Sequence, residues 1–318
     1  MARPPHQRSG GSMTMRIGYI GLGALGRHLA GSLLQAGFPL TVYDVDASCS
    51  VDLGRAGATC AGSIAETARA SDTIITCLPS PEAVASVVAE EGGVLEALAP
   101  GGAWIDMSTN DSHELQRLAT LAAARGIETL EAPVTGGVHR AAAGMITVLV
   151  GGKQEVYEKH RPAFDAMGGR VFYIGALGQA SVIKVITNML AFIHLVADGE
   201  ALMLAKKGGI DLKLAWDVIK ASSGNSFVHE TEGQLILNGS YNINFTMDLA
   251  RKDLYFAHQM GREFGVPLEL GGLTEQIFAR ARAMYGGGAQ SPMVVKMLEE
   301  AVGTDLRAPG FPAELAPE

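Results

Sequence analysis

Cysteine is almost missing from this chain of 318 residues, which carries only 3, Cys49, Cys60 and Cys77. An odd number with no paired spacing and no histidine cluster nearby excludes a disulfide framework and a zinc site, and fits a reducing cytoplasm. Charge is also scarce at 18% of residues, and it leans acidic, with a formal net charge of -8. Nucleic acid and anionic membranes select a basic face, so neither is an expected partner. No uninterrupted apolar run reaches bilayer length. The most apolar segment, residues 182–196, is broken by Lys184, Asn188 and His194 and reads as a buried helix of a soluble protein. The opening MARPPHQRSGGSMTM has no apolar core of the kind a secretory signal needs, so residues 1–14 read as a disordered leader. There is no internal repeat.

What is present is a large apolar fraction, 47%, in a chain long enough for two domains. From Met15 to about Gly175, strand-length apolar runs alternate with helix-length segments: MRIGYIG, LTVYDV, a short ATCA, DTIITCL, AWIDMS, IETLEAPV, MITVLVGG and VFYIG. Such alternation predicts an α/β domain with a mostly parallel, Rossmann-type sheet over residues 15–177. After Gly178 the strand pattern stops, and residues 178–303 read as an all-α C-terminal domain with breaks at glycine, serine and proline clusters. A long helix over about residues 179–207, apolar nearly all round and therefore expected to be buried, joins the two domains. Residues 304–318, with Pro309, Pro312 and Pro317, read as an irregular surface tail.

The first candidate site is Gly21-Leu22-Gly23-Ala24-Leu25-Gly26, which follows one strand and opens a helix expected over residues 24–35. In that setting the first glycine allows a tight turn, the second lets backbone approach a pyrophosphate, and the third lets helix and strand pack closely. Glycine is common here, 40 of 318 residues, so the pattern alone also fits a purely structural turn. Asp44, at the end of the second strand, decides for a dinucleotide. An acid there accepts hydrogen bonds from both ribose hydroxyls and repels a 2′-phosphate, which favours NAD over NADP while leaving NADP possible. Two further strand ends, Leu78-Pro79-Ser80 and Asp106-Met107-Ser108-Thr109, lie where open α/β sheets bind ligands. Leu78, Pro79, Ser108 and Thr109 are therefore expected cofactor contacts, although Ser80 before Pro81, and Thr109 or Asn110 before a helix, equally suit capping.

Four ordered motifs resemble the β-hydroxyacid dehydrogenase family, the 3-hydroxyisobutyrate dehydrogenase and tartronate semialdehyde reductase type. They are GYIGLGALGRHLAGSLLQAG, EAPVTGGVHRAAAGMITVLVGG over residues 131–152, GALGQASVIKVITNM over 175–189, and FTMDLARKDLYFA over 245–257. The resemblance spans about residues 15–301. It implies hydride transfer between a nicotinamide cofactor and a small carboxylate-bearing substrate, Lys184 as the catalytic lysine, and a homodimer or homotetramer.

Independently of the name, oxidising an alcohol by hydride transfer needs a group that takes the hydroxyl proton, and reduction needs it returned. Lys184 lies in the first turns of an otherwise apolar helix, where burial lowers an ammonium pKa. Asn188 sits one turn later on the same face, placed for the same substrate. On spacing alone, Lys184 equally reads as a snorkelling side chain, and the resemblance decides for catalysis. The resemblance further implies that Lys252, paired with Asp253, is a second cation beside nicotinamide or substrate, and that Thr135, Gly136 and Gly137 receive the substrate carboxylate with exposed backbone N–H groups. Departures from the family pattern fall at the pocket rim: Thr135 for Ser, Thr187 for a first Asn, His139 and Arg140 for small residues, and Phe227 for Trp. Arg140 reads either as a solvent-facing helix residue or as a partner for a second anionic group. An imine reductase usually lacks a lysine at position 184, 6-phosphogluconate dehydrogenase has His where Thr187 stands, and a non-catalytic nucleotide-binding scaffold is expected to lose Lys184. The presence of Lys184 and Thr187 runs against all three.

Overall fold

The structure, a computed structural model, describes residues 15–317, so the leader expected over residues 1–14 lies outside the described residues. Nine strands form one sheet: β1 (Ile17–Ile20), β2 (Leu40–Tyr43), β3 (Thr59–Cys60), β4 (Thr73–Thr76), β5 (Ala103–Asp106), β6 (Glu128–Glu131), β7 (Val134–Thr135), β8 (Ile146–Gly152) and β9 (Gly168–Gly175). The first six run parallel in the order β3-β2-β1-β4-β5-β6, the doubly wound arrangement whose direction reverses beside β1. Every residue of β1, β4 and β5 is buried, because helices cover both faces of a parallel sheet. Alternate residues face opposite cores: Ile75 and Ile105 pack with Leu29 and Phe164 on one side, Ile74 and Trp104 with Val84 and Leu115 on the other.

The run IETLEAPV is not one strand but two. Pro133 cannot donate to a ladder, and the chain breaks there. The two pieces then pair antiparallel with different ends of β8, Glu131 opposite Gly151 and Thr135 opposite Thr147. β9 closes the sheet parallel to β8.

Beyond β9 the chain is helical, beginning with the long helix Gln179–Lys207. Its first turn is gripped by the sheet. The buried Glu131 carboxylate accepts hydrogen bonds from the backbone N–H of Gly178, of Ala180 (3.0 Å) and of Ser181 (2.9 Å), and from the Ser181 hydroxyl. A carboxylate there satisfies orphan donors and meets the positive end of the helix. Gly151 must stay bare for it, since a Cβ at that position would lie 2.4 Å from Glu131 Oε1.

Two expectations about this helix are corrected. At 29 residues, with a mean hydropathy of 1.8 over its most apolar window, it is long and apolar enough to cross a membrane, where an interrupted segment too short to span was expected. Nor is it buried all round: Ile186, Leu190 and Leu204 are 39%, 44% and 76% exposed. One flank packs into the protein and carries charge inward, with Asp198 facing His229 and Lys184 facing Asn188. The remaining apolar flank is uncovered in a single chain. The tail lacks helix and strand, yet it is no loose surface segment. Leu306 and Phe311 are buried in the helical core, and Arg307 meets Glu299 at 2.9 Å.

Candidate active site

The glycine turn divides by what each missing side chain makes room for. Gly21 has φ +97, and a Cβ on it would lie 2.3 Å from the Cys77 carbonyl oxygen; one on Gly26 would lie 2.0 Å from the Gly21 carbonyl oxygen. These two glycines are explained by backbone packing. Gly23 is not, for a Cβ there would meet nothing within 4 Å. The space outside Gly23 is the cradle a dinucleotide pyrophosphate needs. The helix begins at Gly26 rather than Ala24, and Leu25 at its N-cap supplies no side-chain cap, so the first-turn N–H groups beside Ala24 and Leu25 face that space. Asp44 braces the loop: Oδ2 accepts from Leu22 N–H at 2.7 Å and Oδ1 from Asp46 N–H at 2.9 Å. The residues present therefore fit a dinucleotide, with phosphates at Gly23 and a ribose at Asp44.

The ends of β4 and β5 are tied by Asp106, a residue whose role the sequence concealed. Its buried carboxylate accepts from the Thr76 hydroxyl (3.0 Å), Ser108 N–H (3.1 Å) and Asn110 Nδ2 (2.9 Å), while Leu78 N–H donates to Ser108 Oγ at 2.9 Å. Burial pushes the Asp106 carboxyl above its usual range against the pull of these donors. Ser108 thus serves the loop itself. Helix caps also sort differently from expectation. Asp111, not Thr109 or Asn110, caps the helix Ser112–Ala123, because it alone brings a carboxylate within 2.9 Å of His113 N–H and 3.0 Å of Glu114 N–H. Ser80 caps Pro81–Ala89. Pro79 and Ser80 line the mouth of a cleft of about 640 Å³, facing Lys252 and Phe256 of the helix Met247–Phe264.

Lys184 and Asn188 meet Lys252 and Asp253 in one chain of contacts. Lys184 is 7% exposed, and its Nζ donates to Asn188 Oδ1 at 2.8 Å. Asn188 Nδ2 donates to Asp253 Oδ2 at 2.6 Å, and Lys252 Nζ lies 3.4 Å from Asp253 Oδ1 while donating to the Thr109 carbonyl at 2.8 Å. A carboxylate can only accept, so Asp253 fixes which way the Asn188 amide points and turns its oxygen toward Lys184. Burial lowers the Lys184 pKa to about 8; the Lys252 ammonium adds to the drop, and the Asp253 carboxylate opposes it. Asp253 is the second residue undervalued from sequence, since its part depends on a contact 65 positions away.

Thr135, Gly136 and Gly137 form the turn from β7 into the helix Gly137–Ala142, with φ +124 and +83 at the two glycines, and β7 packs beside the long helix that carries Lys184. At the rim of this turn, Phe227 from the helical domain stacks with His139 at 6.2 Å between ring centroids.

Comparison with known proteins bears on the same residues. The profile of the NAD binding domain of 6-phosphogluconate dehydrogenase matches residues 16–175, and that of the NAD-binding domain of NADP-dependent 3-hydroxyisobutyrate dehydrogenase matches residues 178–298. The 2-(hydroxymethyl)glutarate dehydrogenase of Eubacterium barkeri is 33% identical over 92% of this chain and 98% of its own. The solved 3-hydroxyisobutyrate dehydrogenase of Mycobacterium tuberculosis, with L-serine, superposes with a TM-score of 0.79 at 28% identity, over 90% of this chain and 99% of that one. An imine reductase from Myxococcus stipitatus shares the fold alone, at 17% identity and a TM-score of 0.60 over 89% and 99% of the two chains.

Proposed function

The chain belongs to the β-hydroxyacid dehydrogenase family, and from that premise we propose that it interconverts a small β-hydroxyacid and its semialdehyde or keto form, with Lys184 as general acid and base. The observation that carries this reading is a buried lysine whose amine donates to Asn188 and is linked through Asp253 to Lys252 at the cleft, with burial lowering its pKa to about 8. A general base works best when its pKa lies near the operating pH, and an ordinary exposed lysine does not qualify. Residues 15–177 hold the dinucleotide, 178–303 complete the substrate pocket, and 304–318 form the tail. The substrate carboxylate docks on Thr135, Gly136 and Gly137, while Asn188 and Lys252 orient the hydroxyl or carbonyl oxygen. The nicotinamide ring, when bound, accepts or returns the hydride. Lys184 takes the hydroxyl proton during oxidation and gives it back during reduction.

Gly21, Gly23, Gly26 and the intervening residues cradle the pyrophosphate, and Leu78, Pro79, Ser108 and Thr109 flank the rest of the cofactor. Asp44 favours NAD, because a 2′-phosphate would meet its carboxylate, and the residues that follow it, Val45 and Asp46, include no arginine to offset the repulsion. The reaction is tested by following NAD and NADP reduction with a panel of short β-hydroxyacids. NAD is expected to be the better acceptor, and Asp44→Ser is expected to shift the ratio toward NADP by about tenfold or more, the effect of roughly 1.4 kcal/mol. An unchanged ratio removes Asp44 from cofactor choice, and a panel without turnover removes the reaction.

The uncovered flank of the long helix is assigned to a second copy of this chain. Ile186 and Leu190 are exposed on the long helix, and Leu270 and Leu273 are exposed on the helix Glu269–Tyr285, which meets it where Met189 packs against Gly271. Light scattering is expected to give the mass of a dimer or tetramer; a monomer at micromolar concentration refutes the assignment. The unpaired cysteines fit a soluble cytoplasmic enzyme.

A further inference from the structure

The helix that carries Lys184 is not capped by its own residues. Gly178 at its N-cap has φ +98 and no side chain, whereas Ser63, Ser80, Asp111 and Thr246 each cap the helix they precede. The cap comes instead from Glu131, 47 to 50 positions earlier in the chain and 1% exposed. Capping alone needs no such reach, since an N-cap serine or aspartate satisfies first-turn N–H groups locally. A cap borne on a strand also fixes where the helix stands against the sheet. Both carboxylate oxygens take part: Oε1 accepts from Gly178 N–H and from Ala180 N–H at 3.0 Å, Oε2 from the N–H (2.9 Å) and hydroxyl of Ser181. Ala180, Ser181 and Lys184 are all buried, and positions 180, 184 and 188 follow one another at helical spacing. The face clamped by Glu131 therefore runs on into the amine and its partner Asn188.

Residues 131–137 also build the turn assigned above to the substrate carboxylate. The link between the two is short and stiff: Pro133 fixes its own φ, and Val134 and Thr135 are held in register against Val148 and Thr147 of β8. One end of the segment sets the lysine helix, and the other sets Thr135, Gly136 and Gly137. We propose that Glu131 is a positioning residue for the reaction, which by clamping the first turn of the long helix fixes the separation between the Lys184 amine and the turn that receives the substrate carboxylate. The proposal rests on the reading of Lys184 as acid and base. Both Glu131 oxygens are occupied by the helix, so the residue acts through Lys184 and not on the substrate. Placement matters on this scale, since a displacement of about 1 Å at a reacting group costs on the order of 100-fold in rate.

The test is a pair of double-mutant cycles. Glu131→Gln keeps the volume but turns one accepting oxygen into an NH2 group that faces N–H donors. Ser181→Ala is the milder change, removing one hydroxyl from the same grip. Hydride transfer from 3-hydroxyisobutyrate to NAD is followed in single turnovers by stopped flow, so that the rate constant does not depend on the fraction of folded enzyme. Each variant is also made in Lys184→Ala. Glu131→Gln is expected to slow transfer about 10- to 100-fold when Lys184 is present. In Lys184→Ala it is expected to cost less than about threefold, because a group acting through the amine has nothing to place once the amine is gone. Ser181→Ala is expected to slow transfer about three- to tenfold with the same dependence on Lys184, and it carries the cycle if Glu131→Gln does not fold. The second readout is the titration of Lys184. A looser first turn admits water to the amine, so its midpoint is expected to rise from about 8 toward that of an ordinary lysine. Asp253 and Lys252, the charged groups that face it, are unaltered in both variants. The midpoint is read from the pH limb of oxidation and from trace acetylation by acetic anhydride, which needs no turnover. Equal slowing in both backgrounds, or a midpoint that stays at about 8, reduces Glu131 to an ordinary cap and overturns the proposal. A normal rate in Lys184→Ala removes the lysine reading instead. If 3-hydroxyisobutyrate is not oxidised while the acetylation midpoint still rises, the reaction assigned above fails and the placement of the amine by Glu131 stands.

Discussion

Lys184→Ala is expected to lower kcat for hydroxyacid oxidation by about 10²- to 10⁴-fold, the contribution of a positioned general base, with NADH affinity unchanged. The separation follows from where the residues sit. The dinucleotide contacts proposed above lie in the loops after β1, β2, β4 and β5, whereas Lys184 is on the long helix and touches Asn188. The same lysine sets the pH profile. Its amine is held at about 8 by burial, so it is protonated below that value and free to take a proton above it. Oxidation is therefore expected to rise with pH and level off above about 8, and reduction, which needs the proton, to fall over the same interval. Stopped-flow rates of hydride transfer in both directions check the two limbs. Near-normal turnover in Lys184→Ala, or a limb that persists in it, would remove the lysine from the chemistry.

Gly23→Ala is expected to leave the fold intact and cripple dinucleotide binding. No protein atom lies within 4 Å of the added methyl, and the backbone there does not need positive φ, so thermal unfolding should match the unaltered protein. The methyl instead occupies the approach to the pyrophosphate. Overpacking a close contact costs about 1–3 kcal/mol, or roughly 5- to 150-fold in Kd for NADH. Gly21→Ala is the contrast, since its methyl would strike the Cys77 carbonyl and should reduce stability as well. Were Gly23 merely a turn residue, NADH titration of Gly23→Ala would show no loss.

The features legible in the sequence are those with local causes. Buried parallel strands read as continuous apolar runs, which exposed β1, β4 and β5. The glycine turn stands out because strand, turn and helix follow one another within twenty residues. Lys184 and Asn188 are visible because a four-residue spacing puts them on one face. What stayed hidden depends on distant partners. Glu131 looks like a charge at a strand end until Gly178, Ala180 and Ser181 fold onto it. Asp106 and Asp253 gather donors from several segments, which no spacing rule reports. The long helix read as buried because periodicity registers apolar residues without registering what covers them. Pro133 was present in the sequence, but that β6 and β7 then pair with opposite ends of β8 could be known only once the sheet had formed.

The grip of Glu131 on the first turn of the long helix makes that turn a fulcrum. Lys184 stands three residues past Ser181, roughly 4.5 Å along the axis at about 1.5 Å per residue. Any rocking of the helical domain about this point would displace the amine less than it would the far end of the helix. On the proposed reading, the proton-handling amine is thus held close to the sheet that would carry the cofactor. A substitution far along the helical domain is therefore expected to alter the pocket wall while leaving the position of this amine unchanged.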